Sequence, residues 1–418
     1  MKANPIGLPE WQREYAPLTS LGYSYPSGKV AQASDGGYII AGGALGIKNT
    51  PIGYGGDGWV LKLDHEANIE WSRIYDMPGD EGFVSAQQTS DGGYIALGDW
   101  TPSGGDFSQA WLVKLSPAGD VEWQNAYAAV GFVEPSSVQE TSDKGFIVAA
   151  GLPLNDGQRA WIFKTDPTGK MLWQKAYSVP INNSVIDDHA YKVRQTSDGG
   201  YVVLGDVLEW GNAGPLLGVL LFSYALVLRL DSHGDIVWQR LFGGGGFTQP
   251  SSISSMSDGG FILAGRFLQS NPSREVGGSF VGLSGPFILR LDAIGNILWQ
   301  KIYGGANDFL IQAQETRDGG VIAAGSLVGG SPNCCDNLAW ALKLDSAGNI
   351  HGCPVGVQSN ATLTNTSAIV TNTTVASANT NVTPTSTDVT VTAPAIPLIQ
   401  NQCQVQNQQA QDEEKHSI

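Results

Sequence analysis

The sequence predicts an all-β chain, and three observations predict it. One unit recurs six times: a strand, a Ser-Asp-Gly-Gly turn, a strand, a variable loop, a strand ending Lys-Leu-Asp, a second turn, and a strand carrying Trp-Gln. Composition agrees, because 54 Gly, 15% charged residues and evenly spread Trp, Tyr and Phe suit many short strands joined by tight turns. The third observation is a mismatch between the chain ends: the last copy lacks its Trp, while an orphan Trp11-Gln12-Arg13-Glu14-Tyr15 stands near the start. Together these predict a six-bladed β-propeller of four-stranded blades, closed by pairing of the N-terminal strand with the last blade. A linear solenoid would require atypical polar caps at its terminal repeats, and none is visible. The predicted organisation is an N-terminal extension at 1–9, a propeller at 10–354 with repeats starting near Trp11, Trp71, Trp123, Trp173, Trp238 and Trp299, and a Thr/Asn/Val-rich C-terminal tail at 355–418.

The first turn reads Ser34-Asp35-Gly36-Gly37, Ser90-Asp91-Gly92-Gly93, Ser142-Asp143-Lys144-Gly145, Ser197-Asp198-Gly199-Gly200, Ser257-Asp258-Gly259-Gly260 and Arg317-Asp318-Gly319-Gly320. Asp hydrogen-bonds its own backbone in a turn and Gly accepts positive φ, so the tetrapeptide closes a hairpin rather than binding a ligand. Continuous apolar runs follow it, such as Tyr38-Ile39-Ile40-Ala41-Gly42 and Phe261-Ile262-Leu263-Ala264-Gly265, and imply burial on both faces. In the third strand Lys62, Lys114, Lys164, Arg229, Arg290 and Lys343 occupy one fixed place. Spread one per repeat, they are expected to pair with acidic neighbours or reach solvent along their stems rather than form a functional ring. A second hairpin follows, as in Asp166-Pro167-Thr168-Gly169 and Asp231-Ser232-His233-Gly234, and the fourth strand carries Trp71, Trp123, Trp173, Trp238 or Trp299.

The units Ser-Asp-Gly-Gly-Tyr-Ile-Ile-Ala-Gly and Leu-Asp-x-x-Gly-Asn-Ile-x-Trp-Gln-Lys-x-Tyr resemble the Ser-Asp-Gly-Gly repeat propellers of bacterial and archaeal surface proteins and lipoproteins, some of which carry an endoglucanase-like label. The resemblance covers residues 10 to 354 and implies an exported propeller, but it transfers no catalytic residue. The Leu-Asp-x-x-Gly-x-x-x-Trp segment is also similar to the tryptophan-docking motif of quinoprotein propellers, which implies that the five Trp residues pack between neighbouring blades. Those enzymes typically have eight such blades and a metal and quinone site; six copies are present here, no such site is evident, and no cofactor is expected.

Both turn types of the repeat lie on one rim, short and repetitive. The opposite rim collects the loops after second strands and the connections between repeats, which vary in length and chemistry and are the better place for function. Its candidate ligand residues are Asp80, Glu81, Phe83, Asp99, Trp100, Glu134, Asp187, Asp188, Asp206, Trp210 and Asp308, with Phe132, His189, Glu209 and Phe309 beside them. Aromatic rings beside carboxylates suit sugar binding. Glycoside hydrolysis needs one carboxylic acid and one carboxylate at a defined separation, and the rim offers too many carboxylates for a pair to be chosen. His65, His189, His233, His351 and His416 show no metal-ligand spacing, and no phosphate loop, calcium loop or nucleophile elbow is present.

A net charge of −16 without a Lys/Arg cluster argues against nucleic acid and anionic lipid as partners. The apolar run from Pro215 to Leu228 falls short of the ~20 residues of a spanning helix, aligns with a repeat strand and is read as core, so the chain is not expected to be an integral membrane protein. Cys334, Cys335, Cys353 and Cys403 are disulfide candidates with three possible pairings. The start of the chain lacks the apolar stretch of a secretory signal, although an extracellular or cell-surface location is expected from the resemblance. In the tail, Asn360, Asn365, Asn372 and Asn381 fit the N-glycosylation pattern, as does Asn182 in a repeat connection. Stretches such as Thr387-Asp388-Val389-Thr390-Val391-Thr392 alternate apolar and polar residues, so the tail either adds strands to a propeller or is a disordered, glycosylated stalk.

The leading expectation is a non-catalytic exported propeller that binds carbohydrate or a surface protein through its variable rim. One alternative is an endoglucanase-like polysaccharide hydrolase using two rim carboxylates. Another is a structural subunit of a surface layer or filament that self-associates through the tail.

Overall fold

The computed structural model describes residues 30–350 apart from 51–52, 106, 129–130, 155–156, 180–184, 211–219, 244–245, 270–283, 305–307 and 329–336. It also describes strand backbone at Lys2–Ala3, Pro9–Trp11, Glu14–Pro17 and Ser24–Tyr25, and at six short tail segments between Val357 and Thr392. Among these residues every regular element is a β-strand, arranged as a propeller-like succession of small antiparallel sheets.

The second repeat shows how the sequence builds a sheet. Strands Gly79–Gln88, Tyr94–Pro102, Gln109–Leu115 and Val121–Ala128 pair in order, each antiparallel to the next. The turn between the first two is held by Asp91, which accepts hydrogen bonds from the Gly93 amide (3.0 Å) and the Thr89 hydroxyl (2.6 Å). Its two glycines serve different needs. Gly92 has φ +87°, whereas a Cβ on Gly93 would lie 2.3 Å from the Leu115 carbonyl oxygen and 2.6 Å from Lys114 Nζ. Lys114 is there because the basic residue of the third strand turns back to the turn Asp, forming an ion pair with Asp91 at 2.9 Å.

The same pairing recurs as Lys62 with Asp35, Lys164 with Asp143, Arg229 with Asp198, Arg290 with Asp258 and Lys343 with Asp318. The basic residues are therefore turn anchors, as the sequence implied. These Asp carboxyls sit below the ordinary carboxylate range; for Asp91 burial opposes the shift, and bonds from Thr89, Lys114 and the Gly93 amide bring it down to about 2.

Packing between repeats rests on the tryptophans. The Trp71 ring meets Tyr94 of the next repeat edge-on at 5.6 Å, and its indole N–H donates to the Pro117 carbonyl at 3.1 Å. Trp173 and Trp238 meet Tyr201 and Phe261 in the same way, Trp123 meets Phe146 at a tilt, and Trp299 donates to the Ser346 carbonyl. Each ring lies over the glycine of the next repeat's second turn, where a Cβ on Gly169, Gly234, Gly295 or Gly348 would come within 3 Å of the indole. Four residues after the Trp, the hydroxyls of Tyr75, Tyr177 and Tyr303 donate to the carbonyls of Gly119, Gly234 and Gly348 at 2.7–2.8 Å. The hydrophobic core accordingly sits between neighbouring sheets: Ile95, Leu97 and Leu112 pack with Val148, Ala150 and Trp161, and Ile147 and Ile162 with Val203 and Leu228. Leu220–Leu230, which carries most of the apolar run noted in the sequence, is a third strand in this core. Among the described residues no helix is long and apolar enough to cross a membrane.

Two expectations need correction. Six separate blades are not found: the described strands form four sheets of five or more strands, one of three and two of two. The fourth and fifth repeats merge into one ten-stranded sheet through a parallel bridge between Ser223 and Phe247, beside which the Ser223 hydroxyl donates to the Thr248 carbonyl at 3.1 Å. The sixth repeat holds Phe309–Glu315, Val321–Val328 and Asn337–Leu344, with a lone bridge from Leu344 to Ile350. The predicted closure also differs. Among the described residues Glu14–Pro17 pairs with tail strand Val389–Thr392 and no pairing of it with the last repeat is found, so the partner along that edge comes from the opposite end of the chain.

Candidate functional site

First strands begin, and second strands end, at the rim opposite the Ser-Asp-Gly-Gly turns, so the alternating geometry brings the loop carboxylates to one end of the molecule. In the fourth repeat Val185–Gln195 pairs with Tyr201–Trp210 so that His189 faces Asp206. The ladder is broken once, between Ala190 and Lys192, and Tyr191 is the extra residue. A bulge of this kind re-aims side chains that strict alternation would place on opposite faces. Here it lets His189 and Tyr191 reach one carboxylate: His189 Nδ1 lies 2.9 Å from Asp206 Oδ1, and the Tyr191 hydroxyl donates to Asp206 Oδ2 at 2.9 Å. The two rings are parallel, 3° apart in plane, with centroids separated by 5.9 Å. Gly205 opposite is obligatory, since a Cβ there would fall 1.8 Å from the His189 carbonyl oxygen.

Around this pair the carboxylates divide by environment. Asp187 accepts from the Gln158 amide (2.8 Å) and from the Trp210 indole N–H (3.0 Å), which pins the indole at the rim. Asp188 points the other way, is fully buried and accepts from the Val179 amide at 3.2 Å. Burial pushes its carboxyl up to about 7, against the pull of Ser178, the Val179 amide and the charges of Arg159 and His189. For His189 burial works against the imidazolium, but the Asp206 carboxylate, helped by Glu134 and Asp187, raises its pKa. Burial and Asp206 likewise drive the Tyr191 hydroxyl well above the ordinary tyrosine range. Next along the strand, the Tyr224 hydroxyl donates to Glu209 at 3.2 Å.

Glu134 is exposed in the neighbouring repeat, and its charge acts on both His189 and Tyr191. Beside its strand the rings of Phe107 and Phe132 meet edge-on at 5.7 Å while remaining 43% and 58% exposed. Such rings are normally withdrawn from water. Of the predicted set, the structure thus brings Asp187, Asp206 and Trp210 together, with the Glu134 charge acting on His189 and Tyr191 from the neighbouring repeat, while Asp188 turns into the interior.

The remaining candidates lie elsewhere on the rim or inside it. Asp99 is half-buried opposite Gly82; burial, with the Asp80 charge, lifts its carboxyl to about 6. Trp100 packs on the core of the first two repeats and donates to the Pro78 carbonyl at 3.4 Å. Phe83 is a core residue, stacked on Trp111 at 4.7 Å and fully buried. Glu81 is buried and accepts from the Met77 amide. Its carboxylate lies with those of Asp57 and Asp76 in a group whose oxygens are within 4.8 Å of one another, a set of hard oxygen ligands that suits Ca2+ or Mg2+. Asp308 is buried beside Gly304 in the connection to the last repeat.

Tyr191, Gln158, Phe107 and Asp57 were not predicted. The Asp187, His189, Tyr191 spacing and the Gly205 that backs the bulge were the readable signal for Tyr191. Cys334, Cys335, Cys353, Cys403, Asn182, Asn360, Asn365, Asn372 and Asn381 lie outside the described residues.

No protein-family model matches the chain, and no curated protein matches it. Solved structures do. One is a polysaccharide lyase, an ulvan lyase with a bound saccharide, at 9% identity and TM-score 0.48, covering 83% of this chain and 84% of that one. A mannose phosphorylase from Leishmania mexicana in complex with phosphate aligns at 11% identity and TM-score 0.35, over 68% of this chain and 91% of its own. Drosophila Plexin A in complex with Semaphorin 1b aligns at 9% identity and TM-score 0.39, over 86% and 87%.

Proposed function

We propose that the chain is an exported carbohydrate-binding propeller whose site is the rim of the third and fourth repeats. The observation that carries this reading is the Asp206 carboxylate held by His189 and Tyr191 beside an indole anchored by Asp187. Side chains fixed by one another in this way are preorganised, so a sugar hydroxyl meets oriented acceptors at little ordering cost, and the faces of Trp210, Phe107 and Phe132 offer apolar platforms for a pyranose ring. The surplus of carboxylates and the net charge of −16 favour neutral or amino sugars over uronates and sulfated sugars. The likeness of the repeat to bacterial and archaeal surface-protein propellers supports the exported location.

A second reading, a glycoside hydrolase, is favoured by Asp99, a half-buried rim carboxyl at about 6, in the range of a general acid. Incubation with a panel of insoluble neutral polysaccharides, following co-sedimentation and new reducing ends, separates the two. Binding without release, reduced at least tenfold in W210A and D187N, is the expected result. Release abolished by D99N assigns hydrolysis, and no binding to any member overturns the carbohydrate reading.

A further inference from the structure

The tail pairs with its own chain in a pattern that neither the rim nor its ligand explains. Val357–Gln358 lies antiparallel to Ile297–Ile302, Thr362–Thr364 to Ile236–Gly243, Ile369–Thr371 to Met171–Ser178, Ala376–Asn379 to Val121–Ala128, and Thr383–Ser386 to Ile69–Asp76. The tail thus visits the fourth strands of the fifth, fourth, third, second and first repeats in turn, and its last described strand, Val389–Thr392, pairs with Glu14–Pro17.

The register is periodic. Leu363 pairs with Phe242, Val370 with Tyr177, Ser377 with Tyr127, Pro384 with Tyr75 and Val391 with Tyr15. Each partner is the aromatic residue four positions after the repeat's Trp, and each step along the tail is seven residues. The tail sequence has the same period. Leu363-Thr-Asn-Thr-Ser-Ala-Ile, Val370-Thr-Asn-Thr-Thr-Val-Ala, Ser377-Ala-Asn-Thr-Asn-Val-Thr and Pro384-Thr-Ser-Thr-Asp-Val-Thr align with Thr at 366, 373, 380 and 387, and with Ala or Val at 368, 375, 382 and 389. A disordered Thr-rich stalk has no reason to hold a period, still less one matched to aromatic positions spaced by 50 or more residues in the body of the chain.

We propose that the tail strands between Val357 and Thr392 form an intramolecular belt, a seven-residue repeat that supplies one outer strand to each of the first five repeats and fastens the N-terminal strand at its end. Physical chemistry supports each part. A fourth strand with an unpaired edge invites association with other chains, and a strand laid along it removes that edge. The belt is itself outermost, which is where Pro384 is tolerated in a strand. Thr and Val dominate it, residues suited to a pleated, half-exposed strand, and Asp388 is its single charge between 357 and 392. Two to four residues separate successive belt strands. From Thr371 to Ala376 the chain spans at most about 17 Å when extended, so the length of each interval sets which strand the next one reaches. Glu14–Pro17 reads as the outer strand of one more unit because the belt pairs with Tyr15 as it pairs with Tyr75, Tyr127 and Tyr177.

Hydrogen exchange of the full chain, with its mass in solution, tests this. The expected result is a monomer whose amides at 362–364, 369–371, 376–379, 383–386 and 389–392 are protected at all protein concentrations. Deleting Thr373 and Thr374 should remove protection from 376 onward while leaving 362–371 and the body unchanged, and inserting two residues at the same point should leave all segments protected. Random-coil exchange throughout the tail overturns the belt. Protection that appears only as concentration and mass rise assigns the strands to a second copy and overturns the intramolecular form. Unchanged downstream protection in the deletion overturns the link between the seven-residue period and the spacing of the body.

Discussion

Replacing Asp188 by Asn separates the cost of a buried carboxyl from its role as an acceptor. The side chain is fully buried and accepts from the Val179 amide, and Asn retains that acceptor in a nearly identical shape. Burial moves the carboxyl from 3.8 to about 7 in the fold. An acid raised in this way holds its proton in the folded state while the unfolded chain has already released it. Between those values folding takes up a proton, so this residue lowers stability as pH rises, by about 1.4 kcal/mol per pH unit. The accumulated difference reaches about 4 kcal/mol by neutral pH, fully expressed above pH 7 and absent below pH 4. D188N removes it. In urea titrations at pH 4, 5, 6, 7 and 8 the variant should match the parent at the acid end and gain stability steadily to pH 7, then level off. A difference between variant and parent that does not change with pH refutes the reasoning, because a shape or hydrogen-bond effect has no such dependence.

In D206N, His189 loses the carboxylate that outweighs its burial, and its NMR titration should move below that of the parent. The parent pair stabilises the fold at acid pH and loses that contribution as pH rises through the His189 pKa, so D206N should cost more stability at pH 5 than at pH 8. Gly93→Ala places a Cβ 2.3 Å from the Leu115 carbonyl oxygen, and a loss of roughly 3 kcal/mol in denaturant unfolding is expected; Gly104→Ala, with nothing within 4 Å but a φ of +76°, should cost no more than about 1–2 kcal/mol.

The repeated sheets were legible because their causes are local. Asp-Gly-Gly turns, basic residues returning to the turn Asp, and a Trp seated on the next repeat's glycine each leave a fixed mark in the sequence. The candidate site was half legible. Strand alternation told which carboxylates share a rim, but the bulge at Tyr191, the burial that separates Asp188 from Asp187, and the withdrawal of Phe83 into the core depend on neighbours distant in the chain. Sheet boundaries were not legible at all, since the Ser223–Phe247 bridge joins two repeats through one backbone contact.

What the sequence determined by itself was the repeating four-stranded unit and the way successive units dock, since turn chemistry and hydrophobic runs act within about fifty residues. Only the tertiary structure decided where the chain ends go. The fourth strands of the first five units offer the same kind of edge, each taken by a tail strand, so the choice of partner for Glu14–Pro17 lay between elements with equivalent hydrogen-bonding capacity. The seven-residue period of the tail became meaningful only when its register against Tyr15, Tyr75, Tyr127, Tyr177 and Phe242 was set beside it. Pairing of that range depends on the path of the folded chain, which no local pattern encodes.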